Sequence, residues 1–452
     1  MSRPHTPPAP IRRPGLPRLA IAALLSLAAC TASPGGSHPS ATSPGPSETA
    51  GMPTSAPAGR AALSPVPLTT ATGADAGAAR GHSLNLPSGW TVQVWADVPG
   101  ARVGAWSPDG RLIVSSGRGG VLVSLTPTTP GRAPTVTTLL AGLSNPQGVA
   151  FARLEERDIL VVGEESRIVA WDYSAGRPSN RRVLVDNLPT GGHGNKGVAV
   201  QRDTVFYSLG SSGNRVAADR TADPERASIW RVGLDGSDNR LLAVGVRNGF
   251  GLAIAPDGTL FTAVNQSDNQ PYPFQDGNGY GKEVRAYINE NPVDQVSRIS
   301  EGTDLGWPFC IPDTRGRAGL TNLPYVNDPV TNADAGMLDC GRIGRTMLGL
   351  PAHSAPLGLQ FTSGPLRGIL GAGALVTSHG SWNRQPPRPP SVAFSRWTTT
   401  GSLEPAVDLV TGFQNDDGSR WGRCVDAVPG PDGAIYVTDD QAGLVYRVSP
   451  PR

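Results

Sequence analysis

The sequence has little histidine, little cysteine and almost no excess of charge. Its 452 residues include six histidines and four cysteines, and the formal net charge is +2. There is no basic stripe or cluster of aromatic and basic residues, so a nucleic acid is not an expected partner. No Cys-x-x-Cys-His motif occurs, which excludes haem attached through that motif. No segment has the periodicity of a long amphipathic helix.

An apolar run near the N-terminus is too short to span a bilayer. Arg12, Arg13 and Arg18 precede this run, Leu19–Ala29, which is the pattern of a signal peptide. The run ends in Leu27-Ala-Ala-Cys30, which resembles the lipobox of bacterial lipoproteins, whose cysteine is lipidated after cleavage. We expect residues 1–30 to be a lipoprotein signal peptide and Cys30 to anchor the exported chain at the outer face of the cell membrane. The alternative is an ordinary secretory signal, with a periplasmic or secreted product.

Residues 31–82 are rich in Pro, Ser, Gly, Ala and Thr and have almost no large apolar side chains. A segment of this composition cannot bury enough apolar surface to fold. We therefore predict a disordered tether over residues 31–82 and one folded region over residues 83–452.

Three copies of a phrase that contains Pro-Asp-Gly organise the folded region. They are Trp106-Ser-Pro-Asp-Gly, Ile254-Ala-Pro-Asp-Gly and Pro429-Gly-Pro-Asp-Gly, and each precedes a β-rich run. Proline presets φ, aspartate bonds its own backbone and glycine adopts the left-handed conformation, so each phrase predicts a tight turn between two strands. A recurring strand-turn-strand phrase indicates a repeat architecture.

Relaxed versions of the phrase extend the count to six units, each with a first strand, a turn, a second strand and a third strand further on. The first strands begin at Gly104, Gly148, Gly197, Gly251, Gly358 and Asp426. Six such units are typical of a closed ring of blades, so we predict an all-β fold, a six-bladed β-propeller. The early strand Thr91–Ala96 is expected to complete the last blade, which removes exposed edges. A β-helix or tandem sandwiches would also repeat, but the spacings are too uneven for a β-helix.

The cysteines of the folded region fit an exported protein. Cys310 and Cys340 flank a polar excursion rich in Gly and Asp. Because disulfides form outside the cytoplasm, we predict that these two cysteines are bonded and close the excursion into a loop. Cys424 is left over and is expected to be buried.

Four stretches depart from the blade template, and they fall at equivalent points of different blades. They span residues 188–197, 209–214, 245–249 with 263–268, and 378–384 with 421–426. We expect all four to converge on one mouth of the central channel, where loops carry function. The candidate residues in them are His193, Arg247, Asn248, His379 and Arg423.

Each candidate also has a simpler interpretation. A histidine in a Gly-rich loop is more often structural or solvated than catalytic. Arg247 and Asn248 can cap the incoming strand, Trp382 can be a core anchor, and Arg423 can pair with Asp426. The combination of two histidines, two arginines and an asparagine at one mouth favours a functional site, because the chain is otherwise poor in histidine.

At these stretches the chain resembles the soluble pyrroloquinoline-quinone-dependent sugar dehydrogenases, the glucose/sorbosone dehydrogenase family. The resemblance extends from about Leu86 to Val448 and is greatest to the sorbosone-dehydrogenase-like branch. The motifs that carry it are Gly-Gly-His193, Gly-Ser-Ser-Gly-Asn214, Val-Arg247-Asn248-Gly, Ala-Val-Asn265, Leu305-Gly-Trp307-Pro308 and His379-Gly-Ser-Trp-Asn-Arg384. The family fold is a six-bladed propeller, in agreement with the count of units.

The resemblance implies an extracytoplasmic enzyme that oxidises a sugar or related aldose by hydride transfer to pyrroloquinoline quinone. It implies that His193 is the general base on the anomeric hydroxyl, a role that suits a pKa near neutrality. Arg247 would stabilise charge on the quinone oxygens while Asn248 orients the ring. Arg423 would clamp a cofactor carboxylate, and His379 lies where glucose-oxidising members carry a lysine.

The resemblance also implies a calcium ion. In the family this ion is held by the cofactor and by two backbone carbonyls, which fall at Gln266 and Ser267 of this chain. Carbonyl oxygens suit a hard cation, so no acidic motif is required.

Several positions depart from the glucose-oxidising members. Val425 replaces a second clamp arginine, Gly380 follows His379 where a lysine is expected, and Gly192 replaces an acidic residue beside the catalytic histidine. These departures predict a weaker or rearranged cofactor site, and they leave the sugar and the electron acceptor open. Two alternatives remain: a calcium-dependent lactonase-type hydrolase, and a non-catalytic propeller that binds glycans or proteins.

Overall fold

The computed structural model describes residues 62–451, in which most of the regular structure is β-strand. The chain begins with short elements that precede the blades. They are β1 (Ser64–Pro67), β2 (Thr69–Thr70), a 3₁₀ turn (Gly77–Ala79), β3 (Ser83–Leu86) and β4 (Thr91–Asp97). Cys30, the predicted signal peptide and the predicted tether up to residue 61 lie outside the described residues.

The predicted tether extends too far towards the C-terminus. Residues 62–82 are part of the folded structure, where β1 pairs with β3 and β2 pairs with β4. Val66 and Leu68 pack against the core, and Ala76 and Ala79 are buried in it. The composition was misleading because small alanine side chains can fill a gap in a core without any large apolar residue.

The remaining strands form six blades in chain order. Blade 1 contains β5 (Ala101–Trp106), β6 (Leu112–Ser116), β7 (Val121–Thr126) and β8 (Thr135–Leu140). Blade 2 contains β9 (Val149–Leu154), β10 (Arg157–Gly163), β11 (Ile168–Ser174) and β12 (Arg177–Val185). Blade 3 contains β13 (Val198–Gln201), β14 (Thr204–Leu209), β15 (Ser228–Gly233) and β16 (Arg240–Val244), with a 3₁₀ turn at Ala217–Thr221.

Blade 4 is interrupted by the polar excursion. It contains β17 (Gly251–Ile254), β18 (Leu260–Val264) and β19 (Asp294–Ile299), with helix α1 (Arg285–Glu290) between the last two. After β19 the chain forms β20 (Thr303–Asp304), which pairs with β16 of blade 3. The excursion then holds β21 (Cys310–Pro312), a 3₁₀ turn (Ala318–Leu320), β22 (Thr321–Leu323) and β23 (Tyr325–Asn327). The fourth strand of blade 4 is β24 (Thr346–Leu350), and β22 pairs with its outer edge. The predicted Cys310–Cys340 disulfide is present, and Cys424 is free and buried, as predicted.

Blades 5 and 6 close the ring. Blade 5 contains β25 (Pro356–Phe361), helix α2 (Gly364–Leu370), β26 (Gly373–Ser378), β27 (Ser391–Arg396) and β28 (Val407–Val410). Blade 6 contains β29 (Cys424–Pro429), β30 (Ile435–Asp439) and β31 (Leu444–Ser449), to which the early strand β4 adds antiparallel. The six-bladed propeller and the role of the early strand in its last blade are therefore confirmed. Among the described residues, no helix is long and apolar enough to cross a membrane.

The repeated sequence phrase corresponds to the turn between the first and second strands of a blade. In blades 1, 4 and 6 the glycine amide of each phrase donates to a carbonyl three residues earlier, at 3.0, 2.9 and 3.0 Å. The glycines Gly110, Gly258 and Gly433 all have φ near +80°, the conformation that the turn requires.

The glycines that begin the first strands of the blades in the sequence analysis, called lead glycines below, have a different role. They allow the first strands of neighbouring blades, which are the inner strands that line the channel, to approach each other closely. A Cβ on Gly197 would lie 1.9 Å from the carbonyl oxygen of Phe250, and one on Gly251 would lie 2.7 Å from that of Leu357. In blade 6 the position belongs to Asp426, whose carboxylate accepts from the amide of Gly104 at 3.2 Å. The inner strands thereby form a narrow channel.

Candidate functional site

The mouth of the channel is the end at which the first strand of each blade begins and the second strand ends. His193 precedes the first strand of blade 3, Arg247 and Asn248 precede that of blade 4, and Arg423 precedes that of blade 6. His379 follows the second strand of blade 5. The four divergent stretches therefore lie at one mouth, as predicted. The channel itself contains a cavity of about 340 Å³, lined mainly by small and apolar residues of all six inner strands.

His193 is held in one tautomer by Ser211. The Nδ1 atom of His193 lies 2.8 Å from Ser211 Oγ. That hydroxyl donates its hydrogen to the carbonyl of Gly213 at 2.8 Å, so it accepts a hydrogen bond from Nδ1–H. The proton of the neutral ring is therefore on Nδ1, and Nε2 carries a lone pair that makes no hydrogen bond within residues 62–451.

The environment of His193 favours the neutral imidazole. Burial lowers the pKa of His193 to about 4, and the positive charge of Arg247 lowers it further than Asp268 can raise it. At neutral pH the ring is therefore uncharged. A half-buried, neutral histidine with an unprotonated Nε2 can accept a proton from a hydroxyl that approaches the mouth.

Two cations fix the backbone of the loop that carries His193. Lys196 is buried and donates from Nζ to the carbonyl of Pro189 at 2.8 Å and to that of Gly194. Arg226 donates to the carbonyls of Gly191 at 2.7 Å and Gly210 at 3.0 Å. These bonds hold the backbone of the Gly-rich loop on both sides of the histidine, although the loop has few side chains that could pack and fix it.

Arg247 is buried beside His193 and is the centre of a hydrogen-bonded cluster. Its Nε donates to the carbonyl of Asn214 at 3.1 Å, its Nη2 donates to Asn214 Oδ1 at 3.0 Å, and its Nη1 donates to the carbonyl of Asn265 at 3.1 Å. Asp268 lies 3.5 Å from Nη2. The carbonyl of Asn248 accepts from the amide of Asn265 at 3.1 Å, so Asn248 joins the cluster through its backbone.

The loop with Gln266 and Ser267 has oxygen atoms that remain free. Both side chains are buried, and neither backbone carbonyl accepts a hydrogen bond from the part of the chain that the structure describes. The Gln266 amide Nε2 also has no partner there. The carboxylate of Asp294 accepts a hydrogen bond from the backbone N–H of Gln266 at 2.8 Å, and this bond fixes the position of the loop. Two free carbonyls on a fixed loop suit a hard cation such as calcium.

A second cluster lies on the blade 6 side of the mouth, with Asp440 at its centre. Asp440 accepts from Arg102 Nη1 at 2.8 Å and from Arg423 Nε at 3.1 Å. His379 Nε2 lies 3.6 Å from the same carboxylate. Burial lowers the pKa of His379 to about 3, so its ring is neutral. Two guanidinium groups thus share one carboxylate, which leaves an excess of positive charge that suits an anionic ligand.

Two simpler interpretations of the sequence prove wrong. Arg423 pairs with Asp440 and not with Asp426, whose carboxylate instead accepts from the backbone of Gly104 inside the channel. Trp382 is not a core anchor, since its residue surface is 75% exposed.

A profile of the family described as TrAA12-like matches residues 84–450 of the chain. The chain belongs to the TrAA12-like family. It is 25% identical over 322 residues to the pyrroloquinoline quinone-dependent pyranose dehydrogenase of Coprinopsis cinerea. That match covers 62% of this chain and 43% of the fungal protein, so the chain spans less than half the length of this relative.

Solved structures of similar proteins have the same fold. The holo form of the quinone domain of the Coprinopsis cinerea pyranose dehydrogenase gives a TM-score of 0.70 at 22% identity, over 84% of this chain and 100% of that domain. A calcium structure of the Trichoderma reesei enzyme of carbohydrate-active family AA12 gives 0.68 at 19% identity, over 80% and 96% of the two chains. The resemblance to quinone-dependent sugar dehydrogenases that the sequence motifs carry is thereby confirmed at the level of family and fold.

In this TrAA12-like chain the two clusters are joined by residues that the sequence analysis missed. Arg102 Nε donates to Gln147 Oε1 at 2.9 Å, and Gln147 Nε2 donates to Asn145 at 2.7 Å. Asn145 in turn bonds Asn195, two residues from His193, at 3.3 Å. A usable signal was present, because Gln147 stands one residue and Arg102 two residues before the glycine that leads its blade, and His193 and Arg247 likewise stand a few residues before theirs.

Proposed function

We propose that this protein is an exported quinoprotein dehydrogenase that oxidises a sugar or related aldose, with pyrroloquinoline quinone and calcium as its cofactors. The observation that carries the proposal is the tautomer of His193, which places an unprotonated Nε2 at the mouth. Membership of the TrAA12-like family and the likeness to a quinone-dependent pyranose dehydrogenase support the same activity.

The residues of the mouth fit the cofactors in charge and in donor type. Pyrroloquinoline quinone carries three carboxylates, and Arg102 and Arg423 share only one carboxylate between them. His379 Nδ1 is buried with no partner in the described residues, so it is available to the same ligand. Arg102 comes from blade 1 and supplies a cation on the side where Val425 replaces an arginine.

Calcium would be held by the backbone carbonyls of Gln266 and Ser267, together with the bound quinone. When bound, the quinone supplies the acceptor for the hydride that leaves the anomeric carbon, and the calcium ion polarises it as a Lewis acid. Arg247 donates a hydrogen bond to the carbonyl of Asn265, the residue before this loop, and would stabilise negative charge that develops on the quinone oxygens.

The role of the protein in the proton transfer is assigned to His193. As the anomeric hydroxyl loses its proton, Nε2 accepts it, and the ring becomes an imidazolium whose Nδ1–H remains bonded to Ser211. Ser211 keeps the ring in its orientation throughout, because its own hydrogen is committed to Gly213.

The decisive experiment adds pyrroloquinoline quinone and calcium to the purified protein and then assays a panel of aldoses with an artificial electron acceptor. Calorimetry should show tight quinone binding, and turnover should appear with at least one aldose. His193→Ala should abolish turnover while calorimetry still shows the quinone bound. A protein that binds no quinone in the presence of calcium would sink the proposal and leave the non-catalytic propeller.

The hydrolase alternative finds no support in the described residues. It requires acidic and amide side chains gathered around a metal, and no group of three or more His, Cys, Asp and Glu residues that could hold a metal occurs in residues 62–451.

The proposal includes attachment to the outer face of the cell membrane through a lipid on Cys30. The motif Leu27-Ala-Ala-Cys30 and the basic residues before it support this location. Cell fractionation tests it: the wild-type protein should sediment with membranes, and Cys30→Ser should not. Equal distribution of both proteins would refute the anchor.

A further inference from the structure

Trp382 differs from every other tryptophan in the chain. The chain has nine tryptophans, all within the described residues, and the other eight are buried or half-buried. Trp382 is 75% exposed, the highest value among the exposed large apolar residues. It makes no ring–ring or cation–π contact with the described part of the chain. An exposed indole without a ring or cation partner among the described residues offers a large aromatic face on which a ligand can stack.

The backbone on both sides of Trp382 is fixed. Ser381 is buried, and its amide and hydroxyl bond the backbone of Arg388 at 3.0 and 2.7 Å. Asn383 is also buried, and its carbonyl accepts from Arg285 at 3.1 Å. The indole is therefore presented from a rigid loop, so a ligand that stacks on it has little backbone freedom to remove.

The loop with Trp382 forms part of the rim of the mouth. It begins at His379, whose ring faces Asp440 in the second cluster. Farther along, Arg384 pairs with Glu290 of α1 at 2.7 Å, which ties the loop to the blade 4 side. The exposed indole thus stands three residues from a group that faces the proposed cofactor site, on a rim built from two blades.

We propose that Trp382 is a subsite for a second pyranosyl ring, so that the protein binds oligosaccharides in preference to monosaccharides. This inference rests on the proposed function. The flat face of a pyranose presents C–H groups that stack on an indole, while its hydroxyls stay available to polar partners. Oxidation at an anomeric carbon needs a free reducing end, so the ring on Trp382 is the neighbour of the oxidised ring on its non-reducing side.

The proposal is tested by binding and by kinetics on the full exported chain, with and without quinone and calcium. The probes are glucose, cellobiose, cellotetraose and maltotetraose. Wild-type protein should bind at least one tetrasaccharide roughly tenfold more tightly than glucose, with a blue shift of the tryptophan emission. Trp382→Ala should reduce that ratio to near one with glucose affinity unchanged, and Trp382→Phe should keep most of it. Ile369→Ala is the control, since Ile369 is 50% exposed on α2, which leaves the opposite end of an inner strand.

Several outcomes would overturn the subsite. One is that Trp382→Ala keeps the wild-type ratio of tetrasaccharide to glucose affinity. Another is that the variant binds glucose and tetrasaccharide more weakly by the same factor. No saccharide binding by wild type in either state would also overturn it. Saccharide binding to quinone-free protein is independent of turnover, so it separates failure of the subsite from failure of the dehydrogenase proposal.

Discussion

Replacing Ser211 by alanine isolates the hydrogen bond that fixes the tautomer of His193. In the wild type, Ser211 Oγ accepts from Nδ1–H at 2.8 Å and donates to Gly213 at 2.8 Å. Alanine removes the acceptor and leaves the buried side of the imidazole without a partner. The neutral ring can then carry its proton on Nε2 instead of Nδ1. A protonated Nε2 has no free lone pair and cannot accept a proton from the substrate.

The magnitude follows from the cost of an unmade hydrogen bond. A typical intramolecular hydrogen bond contributes about 1 kcal/mol, and a buried donor left without a partner costs about 1–3 kcal/mol. We therefore expect Ser211→Ala to lower kcat/KM of the quinone-loaded enzyme by roughly 5-fold to 100-fold. Quinone affinity should stay the same, because the Ser211 hydroxyl contacts the histidine, whereas the bonds of Ser211 to Arg247 and Arg226 are made by its backbone and remain in the variant.

The matched control is Ser212→Ala. The Ser212 hydroxyl bonds Asp219 at 2.7 Å rather than His193, and its backbone amide keeps a second bond to the same carboxylate. Nitrogen NMR of protein labelled at its histidines gives a readout that needs no turnover, since the shifts of the ring nitrogens report the tautomer. If Ser211→Ala keeps the proton on Nδ1 and full activity, Ser211 does not select the tautomer.

Two further predictions concern charge at the mouth. In quinone-free protein the His193 ring should titrate near its lowered pKa of about 4 rather than 6.5, so at pH 5.5 roughly nine tenths or more of it should be neutral by NMR. A midpoint near 6.5 would contradict the burial argument. Arg102→Met should weaken quinone binding by about 10-fold to 100-fold in calorimetry, as for loss of a charge-assisted hydrogen bond. Arg111→Met, which removes another arginine paired with an aspartate, should leave it unchanged, and equal effects would contradict the placement of Arg102.

The ring of blades could be predicted because the strands near the channel have a strong sequence signal. Lead glycines such as Gly197 mark close approach between strands, and Pro-Asp-Gly marks the turn that follows. The fourth strand of a blade has no comparable signal, since it lies at the edge of the blade. In β8 (Thr135–Leu140) the first four residues are exposed, so no alternation of apolar residues reveals the strand.

The blade 3 and blade 4 side of the mouth could be predicted in outline from its motifs. His193, Arg247 and Asn214 stand in distinctive stretches, and the structure brings them into contact through Ser211 and the Gly-rich loop. The tautomer could not be predicted, because it depends on the direction of one hydroxyl. That direction is set by the carbonyl of Gly213 in the folded loop.

On the blade 6 side Arg423 and His379 could be predicted, but the centre of their cluster could not, because it is an ordinary aspartate in a turn. Asp440 becomes informative only when closure of the ring brings Arg102, 338 residues away in sequence, to within 2.8 Å of it. The closed ring therefore does more than remove edges. It lets Arg102 of the first blade join the Asp440 cluster of the last blade, on the side where Val425 replaces the second clamp arginine of the glucose-oxidising members. On the proposed function, the blade 3 side of the mouth supplies the neutral base His193, and the blade 6 side supplies positive charge in excess of its one carboxylate for an anionic cofactor.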